Sequence, residues 1–134
     1  MATGTAGTVA RQYPYNLVHY LRKGITYADN GSTVVVGVIP ANAQIIKPMS
    51  GVAVNVAFDG NSSNVLDIGA STDSGTNNFA TQLSLASIAF VALDEAVTMT
   101  VSVDTTISAL VTSTASATAG QGEIIICYVV DNDL

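Results

Sequence analysis

Apolar and polar residues alternate with a period of two along much of this chain. In GVAVNVAF, Val52, Val54, Val56 and Phe58 fall on one side and Ala53, Asn55 and Ala57 on the other. VTMTVSV alternates more strictly, with Val97, Met99, Val101 and Val103 opposing Thr98, Thr100 and Ser102. That period belongs to a β-strand with one buried face, because a helix would scatter the same residues around its circumference. FATQLSL repeats the pattern more weakly through Phe79, Thr81, Leu83 and Leu85, and NLVHYL, TVVVGVIP, AQIIKP, NVLDIG and EIIICYVV read as further strands.

The connections agree with this reading. Asn30-Gly31 in ADNGST predicts a tight hairpin turn, and FDGNSSN and GASTDSGTNN have loop composition. Pro40 and Pro48 bracket ANAQIIK and confine that strand to an edge or a short insertion. SIAFVALDEA reads as an irregular crossover. About eight strands at this spacing predict an all-β protein, a single antiparallel β-sandwich.

The terminal run EIIICYVV departs from simple alternation. Ile124, Ile126, Tyr128 and Val130 form one face, and Ile125, Cys127 and Val129 a second apolar face. Such a strand is either central and covered twice, or its second face meets another subunit. The second option is preferred, since each sheet of a lone sandwich turns one face outward. Ile125, Cys127 and Val129 are therefore the candidate self-association residues.

Composition narrows the function. The chain has 134 residues, the size of one domain, with 49% apolar and only 10% charged residues, so Ser, Thr, Asn and Gly must supply much of the surface. Charge is uneven: Arg11, Arg22 and Lys23 give the first 23 residues +3, while the remainder carries all ten acids against Lys47, for −9. An acidic body argues against nucleic-acid binding. No apolar run approaches the roughly 20 residues of a bilayer helix, and MATGTAGTVAR lacks a secretory pattern. Residues 1–15, small and polar, are expected to form a flexible arm ahead of a domain spanning 16–134. Four of the five tyrosines (Tyr13, Tyr15, Tyr20 and Tyr27) lie in the first 27 residues beside the basic side chains. Arg11, Tyr13, Tyr15, Arg22 and Lys23 are the candidate partner contacts, the cations for carboxylates and the tyrosines for contact area.

No catalytic set is legible. The lone His19, sharing a face with Leu17 and Leu21, reads as a structural residue, and Cys127 as a buried inert thiol. The loops DGNSSNVLD (Asp59, Asn61, Ser63, Asp67) and TDSGTNN (Asp73, Asn77, Asn78) offer oxygen donors of the kind calcium accepts, but without a closing bidentate Glu they read as turns. No enzyme activity, metal or cofactor is expected.

The order VIPANAQIIKPMSGVAVNVAF, then NSSNVLDIGAS, then ISALVTSTASATAGQGEIIICYVVD resembles the small decoration, or cement, proteins on the capsids of tailed bacteriophages. The resemblance lies in Val38 to Pro40, Ile45 and Ile46, Val52 to Phe58, Val65 to Gly69, and Thr118-Ala119-Gly120 before Glu123 to Tyr128. It implies a jelly-roll sandwich that binds the outside of the phage head as a homo-oligomer, with the major capsid protein as partner. A trimer is favoured over a dimer, and the protein is made in the bacterial cytoplasm. The competing readings are a carbohydrate-binding, lectin-like jelly roll and a head-fibre or tail component.

Overall fold

A computed structural model describes residues 18–71, 76–95, 100–114 and 116–130. The strands are β1 (His19–Thr26), β2 (Thr33–Ile39), β3 (Gln44–Ile45), β4 (Gly51–Val56), β5 (Asn64–Ala70), β6 (Ala80–Ser84), β7 (Phe90–Ala92), β8 (Thr105–Ser113) and β9 (Gln121–Val129). They form a five-stranded sheet, ordered β1-β9-β4-β7 with β3 also on β9, and a four-stranded sheet ordered β2-β8-β5-β6. The pairs β1·β9, β2·β8, β4·β7 and β5·β6 are all antiparallel. They are the rungs of one long folded ribbon, and rolling that ribbon brings β9 against β4 and β8 against β5. This is the jelly-roll arrangement, and the expected all-β sandwich is found.

The inward residues of both sheets meet in one core. Ile25, Val52, Leu66, Ile68, Ile107, Val111, Ile124 and Ile126 are almost fully buried there, with Phe58, Leu83 and Leu85 beside them. Among the described residues, no buried side-chain polar atom lacks a partner. Ser50 shows why: its Oγ donates to the Ile46 carbonyl at 2.8 Å and accepts the Cys127 N–H at 2.9 Å, bridging the gap where β9 leaves β4 for β3. β3 is the two-residue edge insertion that the flanking prolines predict.

Several local expectations are corrected. Asn30-Gly31 does not close a hairpin: β1 and β2 lie in different sheets. Asn30 at φ −52, ψ 129, Gly31 at φ 78 and the Ser32 N–H to Asp29 carbonyl bond of 2.9 Å make a type II turn within an inter-sheet crossover. In β4 the register slips between Val54 and Val56, so Asn55 is an extra residue and Val56 turns outward, away from Val52 and Val54. The strand expected over 97–103 is absent from its described part. Thr100 makes only an isolated bridge to Gln44, Val101 is buried against residues 42 and 43, and Val103 is exposed. The strand lies further on, as β8, whose inward set Ile107, Ala109, Val111 and Ser113 is too small to stand out in sequence. SIAFVALDEA carries a short strand, β7, where an irregular crossover is expected. The proposed arm, residues 1–15, lies outside the described residues.

Candidate interaction surface

The DGNSSNVLD loop is laced to its own chain. Asp59 accepts the Thr118 N–H (2.7 Å) and hydroxyl (2.8 Å) and the Ala119 N–H (2.9 Å). Asn64 closes the loop on Gly60 through both its amide atoms and accepts the Ser113 hydroxyl. The Thr118-Ala119-Gly120 phrase thereby gains a physical reason: Asp59 clamps its first two residues, and a Cβ on Gly120 would come within 2.6 Å of the Phe58 ring. Among the described residues no group of three His, Cys, Asp or Glu side chains could hold a metal. His19 is exposed and stacks on Tyr128, with ring centroids 5.7 Å apart.

The N–H donated by Ala119, followed by the Thr118 hydroxyl, holds the Asp59 carboxyl below its ordinary value of 3.8. A depressed folded value means that the clamp's contribution is complete above the ordinary value and is lost as pH falls through the folded one. Asp59→Asn is accordingly expected to lower the urea midpoint at pH 7, with the gap to the parent closing in acid. A gap that stays constant from pH 7 to well below 4 would remove the clamp from the explanation.

The candidate residues of β1 and β9 lie on the outer face of the five-stranded sheet. One rung across it reads Phe90, Ala53, Glu123, Gly24, and the next Ala92, Gly51, Ile125, Arg22. The middle is floored by small residues, with Phe90 at the β7 edge and Tyr20 at the β1 edge, 47% and 60% exposed. Arg22 and Glu123 form a two-pronged ion pair, Nε to Oε1 and Nη2 to Oε2 each 2.8 Å. Hydrogen bonding to Glu123, with its charge, raises the Arg22 guanidinium further above its ordinary range. On these rungs the charges of Arg22 and Glu123 offset each other, and the face is bordered by aromatic side chains of the kind that anchor protein interfaces.

The two groups of candidate residues converge here in part. Arg22 lies directly opposite Ile125 in the β1–β9 ladder, so Arg22 and the second face of the terminal run share one surface. Lys23, next along the strand, projects to the other side. Within the chain Cys127 is already buried, Ile125 and Val129 are half-buried, and β9 is central, paired with β1 on one side and β4 and β3 on the other. Arg11, Tyr13 and Tyr15 lie outside the described residues.

Sequence reasoning missed a second apolar patch. Thr26, Tyr27, Ala28, Val56, Ala119, Gly120 and Gln121 line an open groove of about 510 Å³ where β1 and β4 end and β9 begins. Beside it runs the loop into β7, with Ile88 71% exposed. Val56 reads as a core residue in the alternation of GVAVNVAF, and Ile88 falls within the SIAFVALDEA crossover. The register slip at Asn55 and the shortness of β7, which expose them, leave no mark in the apolar pattern.

No protein-family model matches the sequence, and no curated protein matches it either. Solved structures do. The fold is similar to a chain in the capsid asymmetric unit of cyanophage Pam1, with a TM-score of 0.63 and 17% identity, covering 96% of this chain and 98% of that one. It is also similar to a chain in the acidic stable capsid structure of the Helicobacter pylori bacteriophage KHP30, with a TM-score of 0.59 and 14% identity over 85% of this chain and 88% of that one. This chain thus has a fold found in phage capsid structures.

Proposed function

We propose that the protein is a structural component of a phage virion that decorates the outside of the capsid and reinforces it across joints between major capsid protein subunits. The observation that carries the proposal is the match of nearly the whole jelly roll to a chain within a phage capsid. The outer face of the five-stranded sheet supports it: Arg22 and Glu123 are paired on it, and the exposed rings of Tyr20 and Phe90 stand at its two edges. Reinforcement needs no chemistry. A protein that binds only the assembled shell stabilises it by mass action, by about 2.7 kcal/mol per site at a hundredfold excess over Kd, repeated at every occupied site.

Thermal rupture of shells with and without the protein tests this, and decorated shells should rupture at the higher temperature. Equal temperatures reject reinforcement. Tyr20→Ala probes the docking face. Tyr20 is mostly solvent-exposed, so the variant should unfold at the parent temperature yet bind shells about tenfold more weakly, as loss of an aromatic anchor does. Undiminished co-sedimentation of this variant with shells moves the docking site elsewhere.

A further inference from the structure

We infer that Asn30 is a site of spontaneous deamidation whose rate is set by opening of the β1–β2 crossover. Asparagine amides are chemically labile, most of all where the next residue has no Cβ to crowd its nitrogen. Among the asparagines of the sequence, Asn30 is the one followed by glycine. Both residues of the pair are exposed, so water and hydroxide reach them.

The reaction is a ring closure. The Gly31 nitrogen gives its proton to hydroxide and attacks the Asn30 Cγ. As the N–Cγ bond forms, the Cγ–Nδ2 bond breaks, and Nδ2 leaves as ammonia with a proton taken from water. A second water opens the five-membered ring at either carbonyl, giving aspartate or its β-linked isomer. The net change is one water consumed and one ammonia released, with no oxidant or cofactor.

The folded turn withholds both reacting atoms. The Gly31 N–H donates to the Val111 carbonyl at 2.9 Å, and the Asn30 Oδ1 accepts the Ser113 N–H at 2.9 Å, so each is fastened to β8. Backbone geometry opposes the attack as well. Ring closure requires the Gly31 nitrogen to eclipse Cβ about the Asn30 Cα–C bond, and ψ of 129° at Asn30 sets it well away from that position. The bond must first turn through more than a right angle. Such a rotation breaks the Gly31–Val111 bond and the Ser32 N–H to Asp29 carbonyl bond that closes the turn.

The two products fare differently in the fold. An aspartate at position 30 still offers an oxygen to the Ser113 N–H. The β-linked isomer adds a backbone carbon inside the turn, between the bonds that fasten it, and loosens the crossover beside Tyr27 and Ala28.

The test incubates the full chain in mildly alkaline buffer, folded and in concentrated urea, and follows by mass spectrometry the gain of one mass unit in a proteolytic peptide containing Asn30. Asp59-Gly60 can close a similar ring, but it loses and regains water and leaves the mass unchanged. Deamidation is expected in both states, and roughly tenfold or more slower in the folded one, because only the opened fraction reacts. Asp29→Ala removes the carboxylate that accepts the Thr26 N–H at 2.9 Å, and so loosens the crossover without touching the reacting pair. In the folded state this variant should deamidate severalfold faster than the parent, with faster hydrogen exchange at Gly31 and unchanged exchange at Leu66, buried in β5. In urea the two should react alike. Equal rates for the folded and unfolded parent, or no conversion in urea, overturn the inference. A folded rate unchanged by Asp29→Ala overturns it too, and a rate that rises only together with exchange at Leu66 assigns the gate to global unfolding instead.

Discussion

Truncating Ile126 to alanine is expected to lower the unfolding free energy by about 3–4 kcal/mol, a large share of the 5–15 kcal/mol typical of a domain. Ile126 is 1% exposed, faces the core, and sits opposite Leu21 on a strand flanked by partners on both sides. The β1 ladder on one side, and the bonds of Cys127 to Ser50 and Ile46 on the other, hold the backbone in place, so the site cannot collapse around the missing atoms and a cavity remains. The companion Ile125→Ala, on the half-buried second face, removes the same atoms where solvent can fill the space, and should cost only about 1 kcal/mol. Urea unfolding of both variants, with unchanged dependence on denaturant, measures the difference. Equal losses would mean that the second face of β9 is as deeply covered as the first.

That contrast bears on what the sequence revealed. The two-faced apolar run of EIIICYVV becomes a central strand of the larger sheet, in which Cys127 is buried within one chain while Ile125 and Val129 stay half-buried on the outer face. The β-class, the sandwich and the edge insertion between Pro40 and Pro48 were legible because strand alternation and proline's missing N–H act locally.

Errors arose where pairing overrides pattern. The alternation of residues 97–103 is better than that of β8, yet β8 is the strand, because it finds full ladders on both β2 and β5 while residues 100 and 101 meet only a short stretch around Gln44. Half of the candidate surface was legible in the same sense. Arg22 and Ile125 each stand out in the sequence, but their direct opposition across the β1–β9 ladder is a fact of register. In the sequence Tyr27 is one of a cluster of four tyrosines within the first 27 residues. Its groove exists because the β1–β2 crossover and the turn before β9 arrive together at one end of the roll.

Gly51 is the position where one added methyl group should do the most to that surface. It opens β4 and pairs with Ile125 of β9 on one side and Ala92 of β7 on the other. A Cβ there would lie 2.0 Å from the Val91 carbonyl oxygen and 2.8 Å from the Ala92 Cα, both backbone atoms that no side-chain rotation can clear. The Leu93 N–H to Ser50 carbonyl bond (2.9 Å) and the Val54 N–H to Ala89 carbonyl bond (2.8 Å) tie β7 to β4 on either side of the clash. Gly51→Ala must therefore push β7 off β4, with an expected loss of about 3 kcal/mol. Because β7 has three residues, its release exposes Leu93 and displaces Phe90 without breaking the β2–β8 ladder. Hydrogen exchange should show it as faster exchange at Val54 and Leu93, with the β2–β8 amides retaining more of their protection. Gly24→Ala is the control: it lies on the same outer face with nothing within 4 Å of its would-be Cβ, so its stability should stay within about 0.5 kcal/mol of the parent. If Gly51→Ala were as harmless as Gly24→Ala, β7 would not be held against β4 at this distance, and Phe90 would lose its fixed place on the rim of the sheet face.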